Sequence, residues 1–218
     1  MTGLLDLDGP RYGAAAGEAQ QLVVLLHGLG ADGHDLISLA PLFAQRLPQA
    51  AFVSPHAPFP CDMAPVGRQW FSFQDASPEA ILGGVRLAAP VLNAFLDAEL
   101  ERHALSDSQL VLAGFSQGTM MALYVALRRP AACAGVLGYS GALIGVELLS
   151  GEIESRPPVL LLHGDADQVV PPRSLPAAVA ALEANGVSVT SELRPGLGHG
   201  IDERGLQLGA DFLVRHLP

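Results

Sequence analysis

The sequence predicts an α/β fold: a mostly parallel central sheet with helices packed on both faces and no large cap domain. Short apolar runs alternate along the chain with longer stretches of helical spacing, as βαβ units require. That alternation of short apolar runs with helical stretches marks a mostly parallel sheet buried on both faces. Residues are 50% hydrophobic and 16% charged, the balance of a chain that buries a core. A length of 218 residues suits one domain, 1–218, and leaves no room for a large second module.

Each element follows from pattern and punctuation. Strands are expected at residues 22–26, 51–53, 110–115, 134–137, 159–162 and 187–193. A first helix is expected over 35–46. The second, over 77–102, takes Ser77 as N-cap and Pro78 at its first position, where a missing N–H is tolerated. A third covers 117–128 and stops before Pro130. The fourth, over 176–185, ends at Gly186, a natural left-handed cap, and the last, over 201–215, has the apolar spacing of an amphipathic terminal helix. Residues 55–75 contain four prolines with Trp70, Phe71 and Phe73, and read as an excursion rather than a plain connection. Leu-Leu-His-Gly occurs at 25–28 and again at 161–164, which two buried strands ending in tight turns would give without any internal repeat.

Charge and composition exclude whole classes of function. The formal net charge is −10, and the twelve basic residues are scattered arginines, so neither nucleic-acid binding nor stable membrane association is expected. The absence of lysine removes Schiff-base chemistry, a P-loop lysine and a Ser-Lys dyad together. Cys61 and Cys133 form no CxxC pattern and are expected as free thiols in a reducing compartment. No histidine pair has HExxH spacing, so neither metal nor cofactor is implied. Residues 1–20 lack the basic and apolar regions of a secretory signal, and a cytoplasmic location is expected. The uncharged run at 108–127 is interrupted by Gln109, Gly114, Ser116, Gln117, Gly118 and Thr119, which fits a buried strand and helix better than a membrane span. Nothing in the pattern sets an oligomeric state.

The chemistry centres on Gly114-Phe115-Ser116-Gln117-Gly118, which closes an apolar strand and opens an apolar helix. GxSxG in that strand-turn-helix context is the nucleophile elbow of the α/β-hydrolase fold, whose sharp turn needs glycine on both sides of the serine. A serine hydroxyl is a weak nucleophile at neutral pH, so it needs a histidine base and a carboxylate to orient that base. The expected chain order is serine, acid, histidine, and His199 in Gly198-His199-Gly200 supplies the last. Asp165 and Asp167 both fit the acid, and spacing alone does not separate them. His27 and His163 end strands and are expected as buried, hydrogen-bonded residues, whereas His34, His103 and His216 occupy surface-like settings. The backbone N–H of Gln117 is one expected oxyanion donor, and that of Leu29, in His27-Gly28-Leu29-Gly30, is the other.

With these blocks in order, the chain resembles the phospholipase/carboxylesterase family, which includes small carboxylesterases, acyl-protein thioesterases and lysophospholipases. The resemblance covers the first loop from Leu26 to Gly33, the elbow, Ser140-Gly141-Ala142-Leu143, the acid loop from His163 to Pro171 and the histidine loop. It implies Asp167, two positions before the paired valines, as the acid. It also identifies Trp70-Phe71 with the family's substrate-side loop, so that Trp70, Phe71 and Leu143 are expected to line an apolar wall for the substrate. The implied activity is hydrolysis of carboxylic esters of small molecules through an acyl-enzyme, and a chain of this size, without room for a large lid domain over the triad, is expected to prefer short to medium acyl esters. Two rivals are a binding protein that kept the fold without activity and a serine peptidase on the same fold. The first has no need for all three of Ser116, Asp167 and His199, and the second lacks any selectivity domain in a chain of this length.

Overall fold

The computed structural model describes residues 6–217. Arg11–Gly13 (β1) is a short exposed strand, and Gln21–Leu26 (β2) is buried at every position. Gly33–Leu36 (α1) and Ala40–Ala44 (α2) stand where one helix over 35–46 was expected. A 3-10 turn at Ile37–Leu39 separates them just before Pro41, which has no N–H to continue the helical ladder. Ala50–Val53 (β3) follows, and then the excursion folds as a small hairpin of Phe59–Pro60 (β4) and Arg68–Gln69 (β5).

Pro78–His103 (α3) begins as expected, with the Ser77 hydroxyl accepting from Ala80 N at 3.3 Å. Leu110–Phe115 (β6), Gln117–Ala126 (α4), Gly135–Tyr139 (β7), Leu149–Glu152 (α5), Val159–Gly164 (β8), Ser174–Ala184 (α6), Val189–Arg194 (β9) and Glu203–His216 (α7) complete the chain. The seven-stranded sheet runs β1-β3-β2-β6-β7-β8-β9, parallel throughout except for β1 on β3. β1 has no signature to read in advance, since Arg-Tyr-Gly is neither apolar nor alternating.

The period of two in β2 divides the interior. Leu22, Val24 and Leu26 join one core with α3, α4 and α6, while Val23 and Leu25 join a second with α1, α2 and α7. α3 is long and apolar enough to cross a membrane by length and composition, yet Val85, Leu92, Phe95 and Leu96 are buried in the first core. His103, at its end, is 6% exposed, which corrects the surface setting expected of it; it follows Glu99 by one helical turn on the inward face. Because β2, β6, β8 and β9 all point the same way, the loops that follow them gather at one edge of the sheet.

Candidate active site

Ser116 stands between β6 and α4 with φ 54° and ψ −116°, backbone angles that few residues with a Cβ adopt. The glycines around it are required by contact. A Cβ on Gly118 would enter the Leu26 carbonyl, and one on Gly114 would enter the Gly118–Thr119 backbone. The turn is therefore held between β2 and its own helix, and it projects a serine that is 8% exposed.

His199 reaches this serine from the loop after β9. Its Nε2 lies 3.0 Å from Ser116 Oγ and its Nδ1 2.8 Å from Asp167 Oδ2. The Phe115 ring packs beside the imidazole with centroids 4.9 Å apart. Two further contacts hold the histidine loop down. Ser140 Oγ donates to Gly200 O at 3.3 Å, and Gly164, lacking a Cβ, lets the Leu197 and Gly198 carbonyls approach β8.

The two candidate acids separate cleanly. Asp167 is 4% exposed; its Oδ1 accepts from Val169 N at 2.8 Å and Val170 N at 2.9 Å, leaving Oδ2 for His199. Burial pushes its carboxyl up, but the His199 hydrogen bond and the two backbone N–H groups outweigh burial and hold it below the ordinary aspartate value. Asp165 is exposed and turns away, accepting from Gly196 N at 2.7 Å. Together with Asp165 N to Arg194 O at 3.1 Å and Ala166 N to Leu197 O at 3.0 Å, that bond fastens the acid loop to the histidine loop.

Both expected oxyanion donors are positioned next to the serine. The Gln117 N–H opens α4, where the helix leaves its first N–H groups without intrahelical partners and its dipole favours negative charge. The Gly28–Leu29 loop abuts the elbow: a Cβ on Gly28 would lie 3.1 Å from the Phe115 ring and 3.4 Å from Ser116 Cβ. Gly30 N bonds to Arg68 O at 2.9 Å and Ala31 N to Gly28 O at 3.3 Å, so the loop is pinned while no backbone or side-chain acceptor takes the Leu29 N–H among the described residues. His27 sits beneath, fully buried, accepting from Ala57 N at 3.0 Å through Nε2 and donating from Nδ1 to Gly28 O at 2.8 Å. Desolvation drives its pKa down, which keeps the ring neutral.

The apolar wall expected from Trp70 and Phe71 is corrected by their burial: Trp70 is 0% and Phe71 1% exposed, leaving neither ring a face toward solvent. They brace the site instead. Trp70 Nε1 donates to His27 O at 3.0 Å, Trp70 N donates to Gln117 Oε1 at 2.7 Å, and Gln117 Nε2 donates to Phe71 O at 2.8 Å. The Gln117 side chain thus clips the excursion to the elbow, a role that its place in GxSxG gave no means of reading. Leu143 is buried at 8% exposure within the first core. The exposed apolar side chains near these loops are Met63 and Val66, at the tip between β4 and β5, and Val169, beside Asp167. Clefts of about 410 Å³ beside Arg11 and Glu99 and about 460 Å³ beside Asp32 and His56 lie away from Ser116, so chemistry rather than cavity size singles out this site.

Fold and site together define an esterase/thioesterase of the α/β-hydrolase class. The chain belongs to the phospholipase/carboxylesterase family, whose profile matches residues 9–217. It is 30% identical over 200 residues to esterase YpfH of Escherichia coli strain K12, covering 92% of this chain and 84% of that protein. It is 29% identical over 214 residues to acyl-protein thioesterase 1 of Neurospora crassa, covering 90% and 86%. Among solved structures it resembles esterase PE8 (TM-score 0.93, 40% identity, 98% of this chain and 100% of that one). It also resembles acyl-protein thioesterase 2 of Zea mays (TM-score 0.78, 26% identity, 96% and 100%).

Proposed function

We propose that this protein is a serine carboxylesterase that hydrolyses short to medium acyl esters through an acyl-enzyme, with Ser116 as nucleophile, His199 as general base and acid, and Asp167 as the orienting carboxylate. The observation that carries this reading is the unbroken run from Ser116 Oγ to His199 at 3.0 Å and from His199 to Asp167 at 2.8 Å. Ser116 Oγ adds to the ester carbonyl carbon as its proton passes to His199 Nε2. The carbonyl oxygen, now an anion, takes hydrogen bonds from the Leu29 and Gln117 N–H groups, the interaction that strengthens in the transition state. Collapse breaks the bond to the alcohol, which leaves with the proton from His199. Water then repeats the sequence on the acyl-serine and releases the acid. Only the neutral imidazole of His199 can take the serine proton in the first step.

Soluble, small-molecule esters are the favoured substrates, in the cytoplasm and without a nucleic-acid or stable membrane partner, because a chain of net charge −10 with no lysine is repelled by anionic surfaces. The element order, with no large cap domain among the described residues, supports the same preference. Thioester hydrolysis is a second reading, favoured by the likeness to acyl-protein thioesterases. Hydrolysis rates on p-nitrophenyl esters of rising chain length, matched thioesters, lysophospholipids and diacyl phospholipid vesicles test the assignment. Soluble esters are expected to lead. Faster turnover of vesicles would overturn the substrate reading, and faster thioester turnover would move it to the second.

A further inference from the structure

Thr119 is the third residue of α4 and is 1% exposed. Its hydroxyl accepts from Tyr139 N at 3.0 Å, and its one proton has two carbonyl acceptors, Gly114 O at 2.7 Å and Tyr139 O at 2.9 Å. A threonine inside a helix ordinarily bonds back to the carbonyl three or four residues earlier in the same helix. Here the partners lie on the strand before the elbow and on its neighbour, so one hydroxyl ties α4 to both β6 and β7. The contact falls where the sheet gives way to the nucleophile, since Phe115 with Tyr139 is the last paired register of β6 and β7. Gly138 and Gly141 make room for the side chain: a Cβ on Gly138 would come within 2.6 Å of the Thr119 methyl carbon, and one on Gly141 within 2.4 Å of Thr119 Cβ.

Ser116 lies inside this clasp. Its N–H donates to Tyr139 O at 2.9 Å, and its φ of 54° belongs to a region that a residue with a Cβ keeps only where its surroundings hold it. Tyr139 leads directly into Ser140, whose hydroxyl donates to Gly200 O beside His199 at 3.3 Å. Nucleophile and base are therefore both anchored on consecutive residues, Tyr139 and Ser140.

We propose that Thr119 is a positioning residue of the active site, whose hydroxyl locks the elbow to the end of β7 and so holds Ser116 Oγ at hydrogen-bonding distance from His199 Nε2. The assignment rests on the reading of Ser116, His199 and Asp167 given above. Thr119 stands outside Gly114–Gly118 and moves no proton of the reaction; it acts through the geometry of the turn. Without the hydroxyl, Gly114 O and Tyr139 N lose this partner, and the turn is free to relax from its strained angles, carrying Oγ away from the imidazole.

A hydroxyl with a structural role alone would change stability and leave kcat per folded molecule native. The test sets Thr119→Val, which keeps the shape without the hydroxyl, and Thr119→Ala against Thr119→Ser, which keeps the hydroxyl without the methyl. kcat and KM are measured on a soluble p-nitrophenyl ester at matched folded fraction, together with the rate of labelling by a fluorophosphonate, with Ser116→Ala as control. Thr119→Val and Thr119→Ala are expected to lose about 10–100-fold in kcat at unchanged KM, the scale of a small misplacement at a reacting centre. Labelling should slow in the same proportion, and Thr119→Ser should stay close to native in both. Native kcat in Thr119→Val would overturn the proposal, as would equal losses in Thr119→Ser and Thr119→Ala. If Thr119→Val does not fold, Thr119→Ser and Thr119→Ala decide between them, since both lack the methyl and differ only in the hydroxyl. Failure of both hydroxyl-free variants to fold would make Thr119 a requirement of the fold rather than of the site, and would overturn the assignment as well. An active Ser116→Ala would remove the underlying reading, whereas an inactive one beside a native Thr119→Val would remove this assignment alone.

Discussion

The elbow at 114–118 and the excursion at 55–75 meet at the Gln117 side chain, and their positions are determined in opposite ways. Steric exclusion shapes the elbow and leaves its mark within five residues of sequence: Gly114 has no room for a Cβ against the Gly118–Thr119 backbone, and Gly118 has none against the Leu26 carbonyl of β2. The excursion is fixed by partners far along the chain, with Trp70 bonded across 43 residues to His27 and across 47 to Gln117. A locally determined turn can be read from its pattern, and a long-range brace cannot. Trp70 and Phe71 show the consequence, since large apolar residues in a loop suit a substrate wall and a buried brace equally well until their neighbours are known.

The largest expected effect tests the local side of this contrast. Ser116→Ala should lower kcat for ester hydrolysis about a million-fold, the scale for a nucleophilic serine, while leaving the melting temperature close to native. Alanine keeps the same Cβ in the turn and gives up only the attacking oxygen. Asp167→Asn should cost on the order of ten-thousand-fold in kcat by presenting the wrong hydrogen-bonding group to His199. Asp165→Asn should cost far less, since it loosens only the bond to Gly196 N. Equal losses in the two variants, measured in the same ester assay, would merge roles that the geometry keeps apart.

On the long-range side, Trp70→Phe keeps an aromatic ring but removes the donor to His27 O, leaving a buried carbonyl without that partner. Stability should fall by about 1–3 kcal/mol, read from the denaturant midpoint, with kcat per folded molecule little changed. A large loss of kcat at full folding would restore Trp70 to the substrate wall. The smallest expected effect is on stability in acid. The Asp167 carboxyl is held below its ordinary value in the folded chain, so the unfolded chain binds a proton first as pH falls. The stabilisation from this group is present above the unfolded aspartate value of about 3.9 and is lost as pH falls through the folded one. Unfolding curves for the native protein and Asp167→Asn should therefore converge on acidification, and a gap that widened would contradict the cited hydrogen bonds.

Much of the frame was legible because it rests on periodicity and punctuation. Apolar runs marked five of the parallel strands, and the mixed stretch 187–193 the sixth, to within two residues at each end, and Ser77-Pro78 marked the start of α3. The break between α1 and α2 was encoded in Pro41 but hidden by an otherwise helical pattern. β1 was silent, because its pairing with β3 comes from the sheet edge and not from its own side chains. At the site, the elbow, the histidine loop and the position of Leu29 were legible. The choice between Asp165 and Asp167 needed either the family resemblance or the fold, since only the fold shows which carboxylate turns inward. Ser140 and Phe115, which hold the histidine loop and ring, carry no local signal for those contacts.

The most direct test of the central claim is covalent capture of the nucleophile. A fluorophosphonate reacts with an activated serine by displacing fluoride, leaving a stable phosphonyl ester whose mass can be located by peptide sequencing. The account predicts a single adduct on Ser116, formed in step with loss of esterase activity and suppressed in Asp167→Asn and in a variant lacking His199. An adduct on another residue, or full labelling of Ser116 with esterase activity intact, would contradict it.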